Sequence, residues 1–323
     1  MWDAASGLYY RTLSGHAGGV STVAWAPDSR RLVSASDDST AGVWDVETGA
    51  RVGLLSGHAG FCFAADVTGE VALTGGFDGT VKLWDLRSGR VARSIVGHSD
   101  PVTCVHFNEK DAGLLLSSSF DGLARVWDLR SGHCLRTIVQ DSNPPVGCAK
   151  FSPNGKFVLT ASFGGLMQLW SYGASSPKPL KRYKGHVNER FCVNATFLLS
   201  PQAGSDKPDA SVLCGSENGS VFVWDLQTKK VTQQLRGHTA PVVAVDAHPH
   251  NGSVVSGELA APGAAQHPVI RIWRPAEGDR PVEPLYIAAP ATRSSSMFKL
   301  PEPHAEHAKP LSTRPPTQRP LRV

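Results

Sequence analysis

Residues 15–55 read GHAGGVSTVAWAPDSRRLVSASDDSTAGVWDVETGARVGLL, and their order decides the fold. After Gly15-His16 come VSTVAW (20–25), a turn at Pro27-Asp28, RLVSAS (31–36), a turn at Asp37-Asp38, AGVWD (41–45), Glu47-Thr48-Gly49 and ARVGLL (50–55). Four short β-prone runs separated by turn residues spell an antiparallel meander. The unit recurs. Trp2, Trp44, Trp84, Trp127, Trp170, Trp224 and Trp273 stand 42, 40, 43, 43, 54 and 49 residues apart, and Gly-His pairs fall upstream at 15–16, 57–58, 97–98, 185–186 and 237–238. A period near forty with these two markers reads as one four-stranded blade per unit of an all-β propeller. In such a blade the first run lines the central channel and the fourth lies on the rim.

The rest of the composition bounds the function. A chain of 323 residues accommodates one propeller, expected over 1–274. Ten prolines in 275–323, without a sustained apolar period, predict a disordered Pro-rich tail whose one strand-capable piece is VEPLYIA (282–288). The formal charge of +4 is mild and no Lys/Arg block is long, so direct nucleic-acid binding is not expected. Cys62, Cys104, Cys134, Cys148, Cys192 and Cys214 form no C-x-x-C pair, which points to reduced thiols in a cytosolic or nuclear protein. No apolar stretch approaches about 18 residues and the first ten residues lack a signal-peptide pattern, so neither membrane insertion nor secretion is expected.

Asp38 precedes Trp44 by six residues, as Asp78 precedes Trp84 and Asp121 precedes Trp127. The pattern resembles the WD-repeat family, which implies that a His, a strand Ser/Thr, the turn Asp and the Trp nitrogen bond together in each blade. The expected sets are His16, Ser34, Asp38, Trp44; His58, Thr74, Asp78, Trp84; and His98, Ser117, Asp121, Trp127. Leaving such groups buried and unpaired costs about 1–3 kcal/mol each, so they read as structural. A hydrolase is not expected: the set recurs three times with a Trp, and no G-x-S-x-G elbow occurs. His304 and His307 lack the H-E-x-x-H spacing of a metal helix, and no metal or cofactor is expected.

Later units depart from this grammar. In the fourth, Asp141-Ser142-Asn143 stands where Gly-His is expected, Gly164 replaces the turn Asp and Ser171 follows Trp170, so no full tetrad is expected. Insertions at 200–210 and 259–268 read as lengthened surface loops. The chain begins mid-blade: Trp2-Asp3 ends a third strand and 8–16 supplies a fourth. Six complete repeats plus a partial N-terminal blade follow, either with residues 8–14 lending the last blade its outer strand or as a seven-bladed plan lacking most of one blade.

From Trp2 to about Trp273 the chain resembles the WD-repeat-containing protein 5 family, adaptors of COMPASS-type and mixed-lineage-leukaemia histone H3 lysine-4 methyltransferase complexes. The stretches carrying the likeness are VAWAPDSRRLVSASDD (23–38), GHSDPVTCVHFN (97–108), SSSFDGLARVWD (117–128), NPPVGCAKFSPNGKFVL (143–159) and GSENGSVFVWDLQTKK (215–230). The resemblance implies a non-enzymatic nuclear scaffold, with the cytoplasm a further location, acting as one monomer within a hetero-complex. Two peptide surfaces follow from it. The first is an arginine pocket for a histone H3 tail, at Ser21, Asp37, Phe63, Phe77, Pro101, Thr103, Phe120, Phe191 and Cys192; a planar cation there stacks on aromatic faces while its fork donates hydrogen bonds. Its second aromatic wall falls at Asn194, and a further position has become Gly147. The second surface is a cleft for an acidic-hydrophobic segment of a methyltransferase-complex subunit, at Asn154, Phe157, Leu169, Leu180, Lys181, Phe197, Leu199 and Gln227. Asn154, Lys181 and Gln227 are polar and have no packing reason to be there. The alternatives are a substrate receptor of a cullin-type ubiquitin ligase and a truncated paralogue that has lost function.

Overall fold

A computed structural model describes residues 1–173, 177–200, 209–259, 268–275 and the backbone of 285–288. Each repeat forms one antiparallel sheet whose strands follow sequence order from the channel outward. The first blade is β1 Val20–Trp25, β2 Arg31–Ser36, β3 Thr40–Asp45 and β4 Arg51–Ser56; the second is β5 Cys62–Thr68, β6 Val71–Gly76, β7 Thr80–Asp85 and β8 Arg90–Val96. The third comprises β9 Val102–Phe107, β10 Leu114–Ser119, β11 Leu123–Asp128 and β12 Cys134–Val139, the fourth β13 Val146–Phe151, β14 Phe157–Ser162, β15 Leu166–Ser171 and β16 Lys178–Tyr183. The fifth runs through β17 Ala195–Ser200, β18 Asp209–Gly215, β19 Ser220–Asp225 and β20 Val231–Arg236, the sixth through β21 Val242–Ala247, β22 Val254–Glu258, β23 Val269–Trp273 and β24 Leu285–Ala288. The fold is therefore an all-β, six-bladed WD40 propeller. The insertions expected within 200–210 and 259–268 fall on residues 201–208 and 260–267, and the disorder expected of the tail falls mainly beyond 275; these lie outside the described residues.

The core is divided into layers between blades. Val33, Ala41, Val43 and Leu55 of the first blade pack with Cys62, Ala65, Val67 and Trp84 of the second. The same arrangement recurs between the second and third and between the fourth and fifth. Inner strands carry this packing: β1 lies on β5, β5 on β9, β9 on β13, β13 on β17 and β17 on β21.

The tetrads brace each blade from within. His16 Nδ1 donates to Asp38 (2.8 Å), its Nε2 lies 2.7 Å from Ser34 Oγ, and Trp44 Nε1 donates to the same oxygen at 2.7 Å. Blade two repeats this through His58, Thr74, Asp78 and Trp84, blade three through His98, Ser117, Asp121 and Trp127. Because the carboxylate only accepts, Nδ1 carries the proton and Nε2 accepts from the hydroxyl, which frees the hydroxyl oxygen for the indole. A positive φ follows the turn Asp in blades two and three, at Gly79 (70°) and Gly122 (82°). A Cβ on Gly79 would lie 2.7 Å from the His98 carbonyl of the next blade, so glycine permits that approach.

Blade six holds a fourth complete set that its sequence conceals: His238 bonds Ser256 (2.7 Å) and Glu258 (3.1 Å), and Trp273 Nε1 donates to Ser256 at 2.8 Å. In blade four Gln140, one residue before the Asp141-Ser142-Asn143 stretch, stands in for the His; its Nε2 donates to Thr160 (3.2 Å) and to Ser162, and Trp170 donates to Thr160 at 3.0 Å. Blade five has lost the chain. Cys214 and Asn218 occupy the Ser/Thr and Asp places, Trp224 donates to the Lys184 carbonyl instead, and neither ring nitrogen of His186 has a hydrogen-bond partner.

The expected strand exchange at the N-terminus does not occur. Residue 288 pairs with Val269 and 285 with Ile272, so the last blade takes its outer strand from its own repeat. Closing that short connection costs less chain entropy than recruiting a segment from the far end of the molecule. Residues 8–14 fold back locally: Tyr9 bridges Trp2 and Tyr10 N–H donates to the Met1 carbonyl. This partial blade is tied at both sides, by Arg274 donating to the carbonyls of Ala4 and Ala5, and by Arg11 donating to that of Glu47. No packing comparable to that between other neighbouring inner strands joins β21 to β1.

Candidate functional site

The pocket residues inferred from sequence gather on the face where each outer strand crosses to the next inner strand. Phe63 sits on β5 and Phe77 in the β6–β7 turn, with ring centroids 6.1 Å apart; Phe61 completes the cluster at 6.3 Å from Phe63 and 5.9 Å from Phe77. Phe61 and Phe77 are 40% and 43% exposed, so this aromatic surface is open to a ligand. Beside it, Ser21 on β1 donates to Asp37 Oδ1 at 3.1 Å. Burial raises the Asp37 carboxyl above its ordinary value and the Ser21 bond only partly offsets this, so an incoming cation would relieve an existing desolvation cost.

On β9, Thr103 Oγ1 donates to the Val146 carbonyl (2.6 Å) and meets Ser118 Oγ at 3.0 Å. Phe120 N–H donates to the Pro101 carbonyl at 3.1 Å, fixing the third blade's turn, and its ring lies 5.9 Å from Phe163. Phe191 and Cys192 precede β17 across the channel; burial pushes the Cys192 thiol up to about 12, which leaves it neutral. The N–H groups of Glu189, Arg190 and Phe191 all donate to Glu217 Oε1, at 2.7, 2.6 and 3.0 Å. The loop bearing the far side of the pocket is thus pinned to the β18–β19 turn. Asn194 is exposed and lies on the inner path of blade five, three blades from Phe63.

Three residues of this face escaped the sequence reading: Phe61, Phe163 and Glu217. The position seven residues before each Trp carries Asp37, Phe77, Phe120, Phe163 and Glu217 in blades one to five, so the repeat register itself contained two of them. Phe61 follows from its place two residues before Phe63, on the same crossover.

The second set lies on the opposite face, between blades four and five. Leu169 is core, 4% exposed and paired with Lys181 across β15–β16; Phe157 and Phe197 are partly buried against the same cluster. Leu180 is half exposed, while Leu199 on β17 is partly buried. Lys181 Nζ donates to the Leu226 carbonyl (2.8 Å), to Gln227 Oε1 (2.7 Å) and more weakly to the Gln227 carbonyl at 3.5 Å. Asn154 Oδ1 accepts from Ser152 Oγ (2.7 Å) and Lys156 N–H (3.1 Å), holding the β13–β14 turn. The three polar residues therefore do have local structural work, contrary to the sequence expectation, because turn and interblade contacts are invisible to a packing argument. Lys181 spends its bonds on neutral oxygens and keeps its charge uncompensated by them.

Among the described residues no group of three or more His, Cys, Asp or Glu side chains is placed to hold a metal ion, and no helix is long and apolar enough to cross a membrane. All six cysteines are free.

The family model described as the WDR5 beta-propeller domain matches residues 1–274. A guanine nucleotide-binding protein subunit beta of Zea mays is 37% identical over 107 residues, 30% of this chain and 28% of that protein. Its counterpart in Oryza sativa subsp. indica is 35% identical over the same shares, and mitochondrial division protein 1 of Mycosarcoma maydis is 40% identical over 81 residues, 25% of this chain and 10% of that protein. The matched stretch spans less than a third of the length of each of these relatives.

Proposed function

This chain belongs to the WDR5 beta-propeller family, whose members are non-enzymatic scaffolds, and on that premise we propose that it serves a histone H3 lysine-4 methyltransferase complex in the nucleus. It grips an acidic-hydrophobic segment of a partner subunit in the groove between blades four and five. The observation that carries this reading is Lys181: a cation anchored by Leu226 and Gln227 oxygens, with Leu180 exposed beside it. Aliphatic side chains of the partner fill the slot over Phe157 and Phe197, and a carboxylate meets the ammonium group. On the other face Phe63, Phe77 and Asp37 take an arginine-bearing peptide such as a histone H3 tail, with one aromatic wall instead of two.

Calorimetry with an acidic-hydrophobic peptide tests the first contact. Lys181→Glu should weaken binding about tenfold or more, since reversing the charge replaces attraction by repulsion at short range. Absence of binding to the unaltered chain, or equal affinity in the Lys181→Glu variant, overturns the assignment.

A further inference from the structure

One position of each outer strand decides how a blade meets the next. It is Gly53, Arg93, Arg136, Lys181 and Gln233 in blades one to five, opposite Val43, Leu83, Val126, Leu169 and Val223. Where it is a cation, it latches onto carbonyls of the turn after the next blade's third strand. Arg93 bonds those of Arg130 (2.8 Å) and Ser131 (2.9 Å), Arg136 that of Tyr172 (3.2 Å) and Lys181 that of Leu226 (2.8 Å). Of these five blades, only the third and fourth place a leucine just before the latch: Leu135, 42% exposed, and Leu180, 50% exposed. Val52, Ala92 and Thr232 stand there in the others.

The cleft between blades four and five therefore has a twin one blade back. Leu114 opens β10 as Phe157 opens β14, Val126 stands for Leu169, Leu135 for Leu180 and Arg136 for Lys181. With Tyr172 and Gly173 these residues line a cavity of about 200 Å³ between blades three and four. That is smaller than the roughly 300–1,000 Å³ of a small-molecule site and suits one inserted side chain. Its Tyr172 wall is fixed in advance: the hydroxyl donates to the Gly155 carbonyl and accepts from Asn108 Nδ2 at 3.1 Å, and the ring meets Phe151 edge-on at 5.5 Å. A wall already held in place costs little ordering entropy when a ligand arrives. Where Gln227 accepts from Lys181 in the neighbouring cleft, Gly173 stands here, and a Cβ on it would meet nothing within 4 Å. The mouth of the groove is open.

Charge orients the occupant. Arg136 is permanently cationic, and its Nε and Nη1 donate to neutral carbonyls, those of Tyr172 and Leu135 (2.7 Å). At the Tyr172 hydroxyl the sign is opposite: burial and then the Asp111 charge hold that phenol above its ordinary value. We propose that this groove docks an extended acidic-hydrophobic segment of a partner protein, one aliphatic side chain entering between Leu114, Val126 and Leu135 and an adjacent carboxylate meeting Arg136. Apolar burial supplies the anchor and the cation selects the flanking acid. The groove has its own cavity and its own cation, so it does not rest on the assignment of the Lys181 cleft.

Leucine and valine methyl spectra of the full chain, titrated with an acetylated Asp-Asp-Leu-Asp-Ile peptide to millimolar concentration, resolve the two grooves. Signals of Leu114, Val126 and Leu135 should move in the unaltered chain and equally in Lys181→Glu. Movement of this set without that of Leu169 and Leu180 upholds the present site while the neighbouring one fails. Gly173→Trp, which covers the mouth, and Leu135→Asp should each raise the dissociation constant at this set about tenfold or more, and both leave the Arg136 latch in place. Unchanged signals of buried Leu73 and Leu213 show that each variant is folded. A peptide with Lys for every Asp should bind about tenfold or more weakly. Three results overturn the proposal: no movement of Leu114, Val126 and Leu135; equal binding of the Lys peptide; or movement that follows protein concentration instead of peptide, which assigns the groove to a second copy.

Discussion

Removing the Ser117 hydroxyl isolates the energetic weight of one tetrad. Ser117 is fully buried, and its Oγ receives the Trp127 N–H at 2.8 Å while facing His98 Nε2 at 2.8 Å. In Ser117→Ala the indole N–H and the imidazole nitrogen both stay buried, and water cannot replace the lost partner. At about 1–3 kcal/mol for each stranded group, the expected loss is roughly 2–6 kcal/mol, a large share of the roughly 5–15 kcal/mol that holds a domain together. Ser117→Thr should restore most of it, because Thr74 and Thr160 hold the same place in blades two and four and accept the same indole bond, at 2.8 and 3.0 Å. Urea unfolding followed by tryptophan fluorescence gives the global loss, and hydrogen exchange shows whether β9–β12 loosen first. A Ser117→Ala variant within about 0.5 kcal/mol of the unaltered chain, or a Thr variant as damaged as the Ala one, refutes the claim that this hydroxyl is the hub of the blade.

Restoring an aromatic wall by Asn194→Phe should tighten an arginine-bearing peptide by about 1–2 kcal/mol, on the order of tenfold, by calorimetry; no gain shows that position 194 does not face the guanidinium. His186 sets a pH dependence. Burial lowers it from 6.5 to about 4, so between those values the unfolded chain binds the extra proton; its contribution is fully present above pH 6.5 and is lost as pH falls toward 4. His186→Leu should flatten the slope of stability against pH in that window by about one proton, a difference of about 3 kcal/mol across it; an unchanged slope places the titration elsewhere.

The Trp and Gly-His spacing made the blade count legible because tetrad and turn recur at constant offsets. What escaped was displaced from those offsets. Ser256 stands 17 residues before Trp273, whereas Ser34 stands 10 before Trp44, and Glu258 supplies the carboxylate with a longer arm, so the sixth tetrad has no sequence signature. Gln140 hid for a chemical reason: its amide donates to Thr160 where a tetrad imidazole accepts from the hydroxyl, so the place is filled by a different group that no His-based pattern finds. The outer strand of blade six falls within VEPLYIA (282–288), the strand-capable piece of the tail, but its place in that blade was hidden because residues 8–14 look the better partner for β23.

The same register that conceals these substitutions separates bracing from binding. His, Ser/Thr and Asp at the tetrad offsets are consumed within each blade, and burial pulls His58 and His238 below the ordinary imidazole value despite their carboxylates, so these two imidazoles are neutral and turned inward. One residue earlier than each turn Asp the side chain points out of the blade: Asp37, Phe77 and Phe120 are only partly buried or exposed. A one-residue step along the β2–β3, β6–β7 and β10–β11 turns thus divides structural from available chemistry. Variation at the outward position, from Phe163 to Glu217 between blades four and five, changes what the face can hold without disturbing the brace beneath it. That is why blade five, which lost its tetrad at Cys214 and Asn218, still holds the pocket loop through Glu217: the carboxylate takes three backbone N–H groups and ties β18–β19 to residues 189–191 by another route.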